Sequence, residues 1–154
     1  MSQSKHWENV YENKQADDVS WFQPSADLSR QLIMQFAPDC DAAVADVGAG
    51  SSPLAGELVA QGYRHVDALD FSRAALAQGR ARAGASGALI RWRHADLTQP
   101  QEWPEQIDVW HDRALFHFLN TRAERRAYVE NAYRAVKPGG VLIVAAFSLE
   151  GPPK

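Results

Sequence analysis

Apolar residues gather in five short runs along the 154-residue chain, and amphipathic stretches separate them. The runs are Ala42–Ala45, His65–Leu69, Leu89–His94, Ile107–Trp110 and Val141–Phe147. Each has the length of a strand. Between them helical spacing returns. Over 53–61, Leu54, Leu58 and Val59 point one way before Gly62 stops the helix. Ser72 is placed to cap a helix reaching about Ala83, ahead of Gly84 and Gly87. Thr121-Arg122-Ala123-Glu124 reads as a capping box for a helix that ends at Lys137-Pro138-Gly139-Gly140, where Lys137 suits the negative end of the dipole. The last run shows no alternation, which predicts a strand buried on both faces. Upstream, Trp7, Val10 and Tyr11 have helical spacing over residues 5–14. A second helix capped by Ser25 aligns Leu28, Leu32 and Phe36 before Pro38.

Strands alternating with helices predict an α/β fold with a doubly wound, mainly parallel sheet and a ligand at the carboxyl ends of its strands. A helical, aromatic segment over 1–41 precedes this core, 42–154, within one domain. The first strand runs into Asp46-Val47-Gly48-Ala49-Gly50-Ser51-Ser52-Pro53. Gly48 and Gly50 offer bare main chain at a turn, Ser51 or Ser52 can cap the helix, and Pro53 fits its first turn. A dinucleotide fingerprint needs a third glycine where Pro53 stands, so a pyrophosphate is disfavoured. Asp70 nevertheless ends the second strand twenty residues after Gly50, the spacing of a carboxylate that binds both ribose hydroxyls. The chain is thus expected to bind a nucleoside without a pyrophosphate.

Asp46, Asp70, Asp96 and Asp112 stand near the ends of the first four strands, where they serve either as helix caps or as ligand groups. Asp96 is expected within reach of a nucleobase amine, with Leu97 packing on the base. Trp7, Tyr11, Trp21 and Phe22 crowd the N-terminal segment. They either pack on the domain edge or form a lid over the ligand.

With 45% apolar and 23% charged residues, the chain has material for a real core. Its net charge of −3 gives no reason to expect nucleic acid or an anionic membrane. Arg73, Arg80, Arg82, Arg91, Arg93 and His94 form an acid-free stretch that reads as a solvated face. The single Cys40 excludes internal disulfides and cysteine-based zinc sites, and no His/Asp/Glu cluster has metal spacing. The polar start Met1–His6 shows no secretory signal, and no apolar run is long enough to cross a bilayer. A soluble, cytoplasmic protein without metal is expected.

The segments DVGAGSSPL at 46–54, ALDFS at 68–72, HADL at 94–97, IDVWHDRALFHFL at 107–119 and KPGGVLIVAAFS at 137–148 resemble, in order, those of class I S-adenosylmethionine-dependent methyltransferases. The resemblance implies the Rossmann-like fold of that family and S-adenosylmethionine as cofactor, with S-adenosylhomocysteine as product. It implies that Gly48, Ala49 and Gly50 approach the methionine part and that Asp70 holds the ribose, with Asp46 and Phe71 also among the cofactor-binding residues. Asp96 and Leu97 then hold the adenine, and Asp112 and Arg113 lie beside the sulfonium and the acceptor. The prelude HWENVY with SWF is similar to small methyltransferases related to the group that modifies lysines of citrate synthase and elongation factors, whose N-terminal aromatics help close over the cofactor. Trp7, Tyr11 and Trp21 are the corresponding residues.

Methyl transfer from a sulfonium depends on alignment and exclusion of water, and needs a base only for a protonated acceptor. Asp112, His111 and His117 are the base candidates. The acceptor is expected to be a protein lysine or a small molecule. The family continues past the fifth strand with a helix and an antiparallel hairpin, whereas this sequence stops at Lys154. The fifth strand is therefore expected to be an uncovered apolar edge, so that either the sequence is a truncation or another chain supplies the missing pairing, as in a homodimer. A non-catalytic domain that binds the same cofactor as a sensor or partner subunit is the second reading. A nicotinamide-dependent reductase is a third, against which Pro53 counts.

Overall fold

A computed structural model describes residues 3–13 and 23–148, with the side chains of the first helix from Glu8 onward. Its elements are α1 (Gln3–Asn13), α2 (Asp27–Phe36), β1 (Ala43–Val47), α3 (Leu54–Ala60), β2 (His65–Asp70), α4 (Arg73–Ala83), β3 (Arg91–His94), β4 (Ile107–Arg113), α5 (Arg122–Ala135) and β5 (Val136–Ala145). Every strand pair is parallel, in the order β3-β2-β1-β4-β5. The order reverses between β1 and β4, the switch point at whose carboxyl strand ends sheets of this kind bind their ligands. The doubly wound sheet read from the sequence is the one observed.

Side chains of successive strand residues point to opposite faces, so the sheet carries two cores. Val44, Val66, Ala68 and Val109 pack with Leu54, Leu58, Ala26 and Ile33 from α3 and the α2 region. Ala45, Val47, Leu69 and Trp110 pack on the other face with Tyr128, Ala132 and Ala135 of α5. Local signals read from the sequence recur. Ser72 Oγ accepts from Ala75 N at 3.1 Å, Thr121 Oγ1 accepts from Glu124 N at 3.1 Å, and Glu124 Oε2 accepts in return from Thr121 N at 2.8 Å. Ser52 Oγ accepts from Leu54 N at 3.2 Å as α3 begins.

Expectations for three segments need correction. Ser25 does not cap α2, which begins after Ala26 with no side-chain cap, and the face shared by Leu28 and Phe36 is the outer one: they are 71% and 54% exposed, while α2 buries Ser29 and Ile33 between Ala26 and Ala37. The cause is tertiary. The sheet presents a buried imidazole to α2, and a small hydroxyl residue meets it better than a leucine. Glu57 of α3 then fixes the helix by accepting from Ala26 N at 3.1 Å and from Arg30 Nη1 at 3.4 Å.

The Lys137–Gly140 stretch does not end a helix. α5 gives way directly to β5 at Val136, and five residues of β5 span what two residues of β4 span, a bulge between the Ile107↔Val136 and Val109↔Val141 pairs. Lys137 pairs with the Asp108 carboxylate of β4 instead of the helix dipole.

Nor is β5 buried on both faces. Ile143 packs partly against the core on the α2 side, but Leu142 and Val144 are 50% and 47% exposed. β5 is the sheet's edge, and these two side chains stay about half open. A run without alternation tells of apolar side chains, not of what covers them.

Candidate functional site

The strand-to-helix turn at 48–53 is shaped by close approaches from two directions. Gly48 takes φ +66° and Gly50 φ +54°, a region that L side chains rarely adopt. A Cβ on Gly48 would stand 2.7 Å from Leu115 Cβ, and one on Gly50 would stand 2.6 Å from the Tyr11 hydroxyl. The loop after β4 therefore closes one side of the turn, and α1 lies across the other.

Two bonds seat α1 there: Gln78 Nε2 donates to the Tyr11 carbonyl at 2.6 Å, and Glu8 Oε1 accepts from Ala74 N at 3.3 Å. Tyr11 thus lies against the glycine turn. The Trp7 side chain and Trp21 lie outside the described residues. Arg82 adds a further tie, donating to Ser51 O at 2.9 Å and Gln23 O at 3.1 Å.

Asp70 closes β2 beside the turn. Its Oδ2 accepts from Gly50 N at 2.9 Å and its Oδ1 from Ser72 N at 2.8 Å, so one carboxylate sets both the glycine turn and the start of α4. Burial pushes its pKa up to about 6, against the lowering effect of these backbone donors, and the charge of Asp46 adds to the rise. The Phe71 backbone N–H is a third donor to the same carboxylate. Ala49 N donates to Leu69 O at 2.9 Å, a second tie between the turn and β2. The Phe71 carbonyl accepts from His94 Nε2 at 2.8 Å.

Asp46 and His111 are direct partners across β1 and β4, on the face covered by α2. Asp46 Oδ1 takes the Nδ1 proton of His111 at 2.8 Å, and His111 Nε2 lies 2.8 Å from Ser29 Oγ on α2. All three residues are buried. Asp46 Oδ2 is buried as well and has no hydrogen-bond partner among the described residues. Arg113 ends β4 on the same face. Burial disfavours its cation, while the charges of Asp46 and Tyr11 favour it.

Asp112 has the opposite fate. It points to the α5 face, is fully buried, and has both oxygens occupied: Oδ1 by Leu115 N at 2.8 Å, and Oδ2 by Phe116 N at 3.1 Å and the Tyr128 hydroxyl at 2.7 Å. The Tyr128 hydroxyl accepts in turn from Trp110 Nε1 at 2.8 Å. Asp112 therefore builds the loop after β4 instead of facing an acceptor. His111 is 1% exposed, with both nitrogens engaged by Asp46 and Ser29 inside the fold. His117 stacks on Phe118 and Phe147, with ring centroids 4.2 and 5.1 Å away.

Asp96 lies two residues past β3 and is exposed. Its Oδ1 accepts from Thr98 N at 2.9 Å and Thr98 Oγ1 at 2.7 Å. Leu97 is buried in the core on the α5 face. Asn131 of α5 fastens this loop, donating to Leu97 O at 3.0 Å and Gln99 O at 2.9 Å and accepting from Gln101 N at 3.0 Å. Nothing in the sequence pattern pointed to Asn131, Tyr128, Ser29 or Gln78. Their spacing is that of ordinary helix residues, and their roles appear only when the layers meet.

The basic stretch is largely spent within the fold. Arg91 and Arg93 both reach Asp67, at 2.7 and 3.4 Å, and Arg82 and His94 bind backbone carbonyls. Among the described residues no group of three His, Cys, Asp or Glu side chains could hold a metal ion, and no helix is long and apolar enough to cross a membrane.

A parallel sheet with a glycine turn at its switch point and a carboxylate closing the next strand defines a Rossmann-like nucleoside-binding protein. A family model described as a methyltransferase domain matches residues 44–140, more than half of the chain. The chain belongs to this family, the class I S-adenosylmethionine-dependent methyltransferases.

Among solved structures it is similar to the amino pentose methyltransferase CalS10 of Micromonospora echinaspora, involved in calicheamicin biosynthesis and bound to its cofactor, at 26% identity and a TM-score of 0.64. That match covers 99% of this chain and 60% of the other. A protein of echinomycin biosynthesis, where a disulfide bond is converted into a thioacetal group, matches at 27% identity and a TM-score of 0.71, over 92% of this chain and 60% of that one. The N-methyltransferase NodS of Bradyrhizobium japonicum, in complex with S-adenosylhomocysteine, shares the fold at 16% identity and a TM-score of 0.68, over 93% of this chain and 72% of its own. The chain thus spans about three-fifths of the length of the first two. No curated protein matches this sequence.

Proposed function

We propose that this chain binds S-adenosylmethionine in the crevice between the glycine turn and the end of β4 and directs its methyl group to an acceptor nucleophile. The observation that carries the reading is the pair of buried, incompletely satisfied carboxylates flanking the turn. Asp70 keeps acceptor capacity for a ribose diol beyond its backbone donors, and Asp46 Oδ2 has no hydrogen-bond partner among the described residues. An orphaned buried carboxylate oxygen suits a cationic group such as an α-ammonium. Gly48 and Gly50 let the turn take its left-handed backbone beneath Leu115 and Tyr11, and a cofactor tail would lie along its main chain in this reading.

When bound, the cofactor supplies a methyl already activated on a sulfonium. The chain's own work is to hold and shield. Asp70 would fix the sugar, and Asp96 would offer Oδ2 to a base amine because Thr98 takes Oδ1. Tyr11 covers the turn and excludes water from it. Arg113, half-buried at the end of β4, stands next to the acceptor's side of the crevice in this reading. No residue is assigned as general base. Of the three candidates, Asp112 and His111 are committed elsewhere, which leaves His117 for an acceptor that arrives protonated.

One structural neighbour is an amino pentose methyltransferase and another belongs to echinomycin biosynthesis, and this favours a small-molecule acceptor over a protein lysine. The commitment of two base candidates to the fold favours, as a second reading, a domain that binds the cofactor without turning it over. Calorimetric titration with S-adenosylmethionine tests the site: Asp70→Ala is expected to weaken binding at least about a hundredfold, for two lost charge-assisted bonds. Unchanged affinity in that variant refutes the ribose assignment. Transfer of labelled methyl to small-molecule extracts, and not to protein, then separates catalysis from binding alone.

A further inference from the structure

Ser29 sits on the buried face of α2, a helix outside the strand–helix alternation that makes the nucleoside fold, where an apolar residue would pack at no polar cost. Instead its hydroxyl meets His111 Nε2 at 2.8 Å, and His111 Nδ1 meets Asp46 Oδ1 at 2.8 Å. The register places Asp46 and His111 directly opposite one another. The three side chains form one hydrogen-bonded line from α2 through the sheet to the residue that precedes the glycine turn by two.

That line ends unbalanced. A purely structural network of buried polar groups satisfies every member, because each orphan costs what its desolvation costs. Here Ser29 and both ring nitrogens are satisfied while Asp46 Oδ2 is not. A carboxylate held by one bond to one oxygen cannot turn about its terminal torsion without breaking that bond. The ring that makes the bond cannot turn either, because Ser29 holds its far nitrogen.

We propose that Ser29 and His111 are positioning residues that aim Asp46 Oδ2 at the α-ammonium of the cofactor's amino-acid tail. The proposal rests on the cofactor reading above. In it α2 has a task beyond packing: its docking sets how firmly the tail is held. The charged groups near Asp46 are Asp70 and Arg113, at the ends of the strands on either side. Arg113 offers the competing positive charge. Fixing the carboxylate toward the crevice favours the ligand's ammonium over it.

The proposal predicts selectivity between two parts of one ligand. S-Adenosylhomocysteine carries the amino-acid tail, and 5′-methylthioadenosine has the same nucleoside and thioether without it. By calorimetry, Ser29→Ala and His111→Leu are each expected to weaken S-adenosylhomocysteine about tenfold while leaving 5′-methylthioadenosine within about twofold. His111→Asn keeps an N–H donor on the Asp46 side and is expected to recover part of the loss. Should His111→Leu fail to fold, Ser29→Ala, which deletes one hydroxyl, carries the test alone. Equal loss for both ligands, or no loss for S-adenosylhomocysteine, overturns the positioning role. A wild-type protein that binds 5′-methylthioadenosine but gains nothing from the tail overturns it too, with the nucleoside site intact. Failure of the wild type to bind either ligand removes the cofactor reading and this proposal with it.

Discussion

The two faces of the sheet carry buried aspartates at the same end, and they use them differently. On the α2 face, Asp46 keeps an oxygen with no partner among the described residues, and Asp70 is held by backbone donors alone, its pKa pushed up to about 6 by burial. On the α5 face, Asp112 is bound by two backbone N–H groups and the Tyr128 hydroxyl. All three look alike in the sequence, as a carboxylate that closes a strand. The difference lies in satisfaction: a saturated buried carboxylate is part of the scaffold, and an unsaturated one is held in readiness for a ligand.

The sharpest way to break this contrast is Asp112→Ala. It orphans the Tyr128 hydroxyl and two backbone donors, and is expected to lower the stability of the fold by about 3 kcal/mol in denaturant melts. Cofactor affinity of the folded fraction is expected to stay within about threefold. A large loss of affinity at unchanged stability would place Asp112 in the ligand site after all.

Gly50→Ala attacks the other face. A Cβ there meets the Tyr11 hydroxyl at 2.6 Å in a left-handed backbone region, so strain and a displaced α1 are expected to cost about 2 kcal/mol. The thermal midpoint should fall, and the amides of α1 should exchange faster. Unaltered exchange in α1 would mean that Tyr11 does not rest on the turn.

The pH dependence follows from Asp70. Its folded pKa lies near 6, above the ordinary value of 3.8. The neutral acid is therefore favoured in the fold, and the group's contribution to stability is present below about pH 4 and lost as pH rises through about 6. Binding has the opposite sign, because two ribose hydroxyls need the ionised form. Affinity for 5′-methylthioadenosine, which has no titratable tail, is expected to fall about tenfold between pH 7 and pH 5. A flat profile over that range would remove the ionised Asp70 from the ribose site.

The smallest expected effect lies where the chain turns from one face to the other. Ala114 stands between Arg113 and Leu115 at φ 75°, and its N–H holds Ala145 O at 2.9 Å. Ala114→Gly is expected to raise stability by up to about 1 kcal/mol by relieving the left-handed strain. A fall in stability would show that the methyl group packs more than the backbone strains.

What the sequence determined by itself is local and periodic. Five apolar runs separated by helical spacing gave the parallel sheet, Gly48 and Gly50 marked the turn, Asp70 followed at its spacing, and Thr121 with Glu124 announced α5. Each of these signals lies within one element or between two consecutive strands, where chain stereochemistry leaves little choice. The outward Leu28 and Phe36, the exposed Leu142 and Val144, and the opposite roles of Asp46 and Asp112 were decided only by the tertiary structure. Period tells which residues share a face, but not what the facing layer offers. The His111–Asp46 and His111–Ser29 bonds join residues 65 and 82 positions apart, and no local rule reaches that far. Whether a buried carboxylate becomes scaffold or site depends on how many donors the opposing layer brings to it, and only the packed layers set that number.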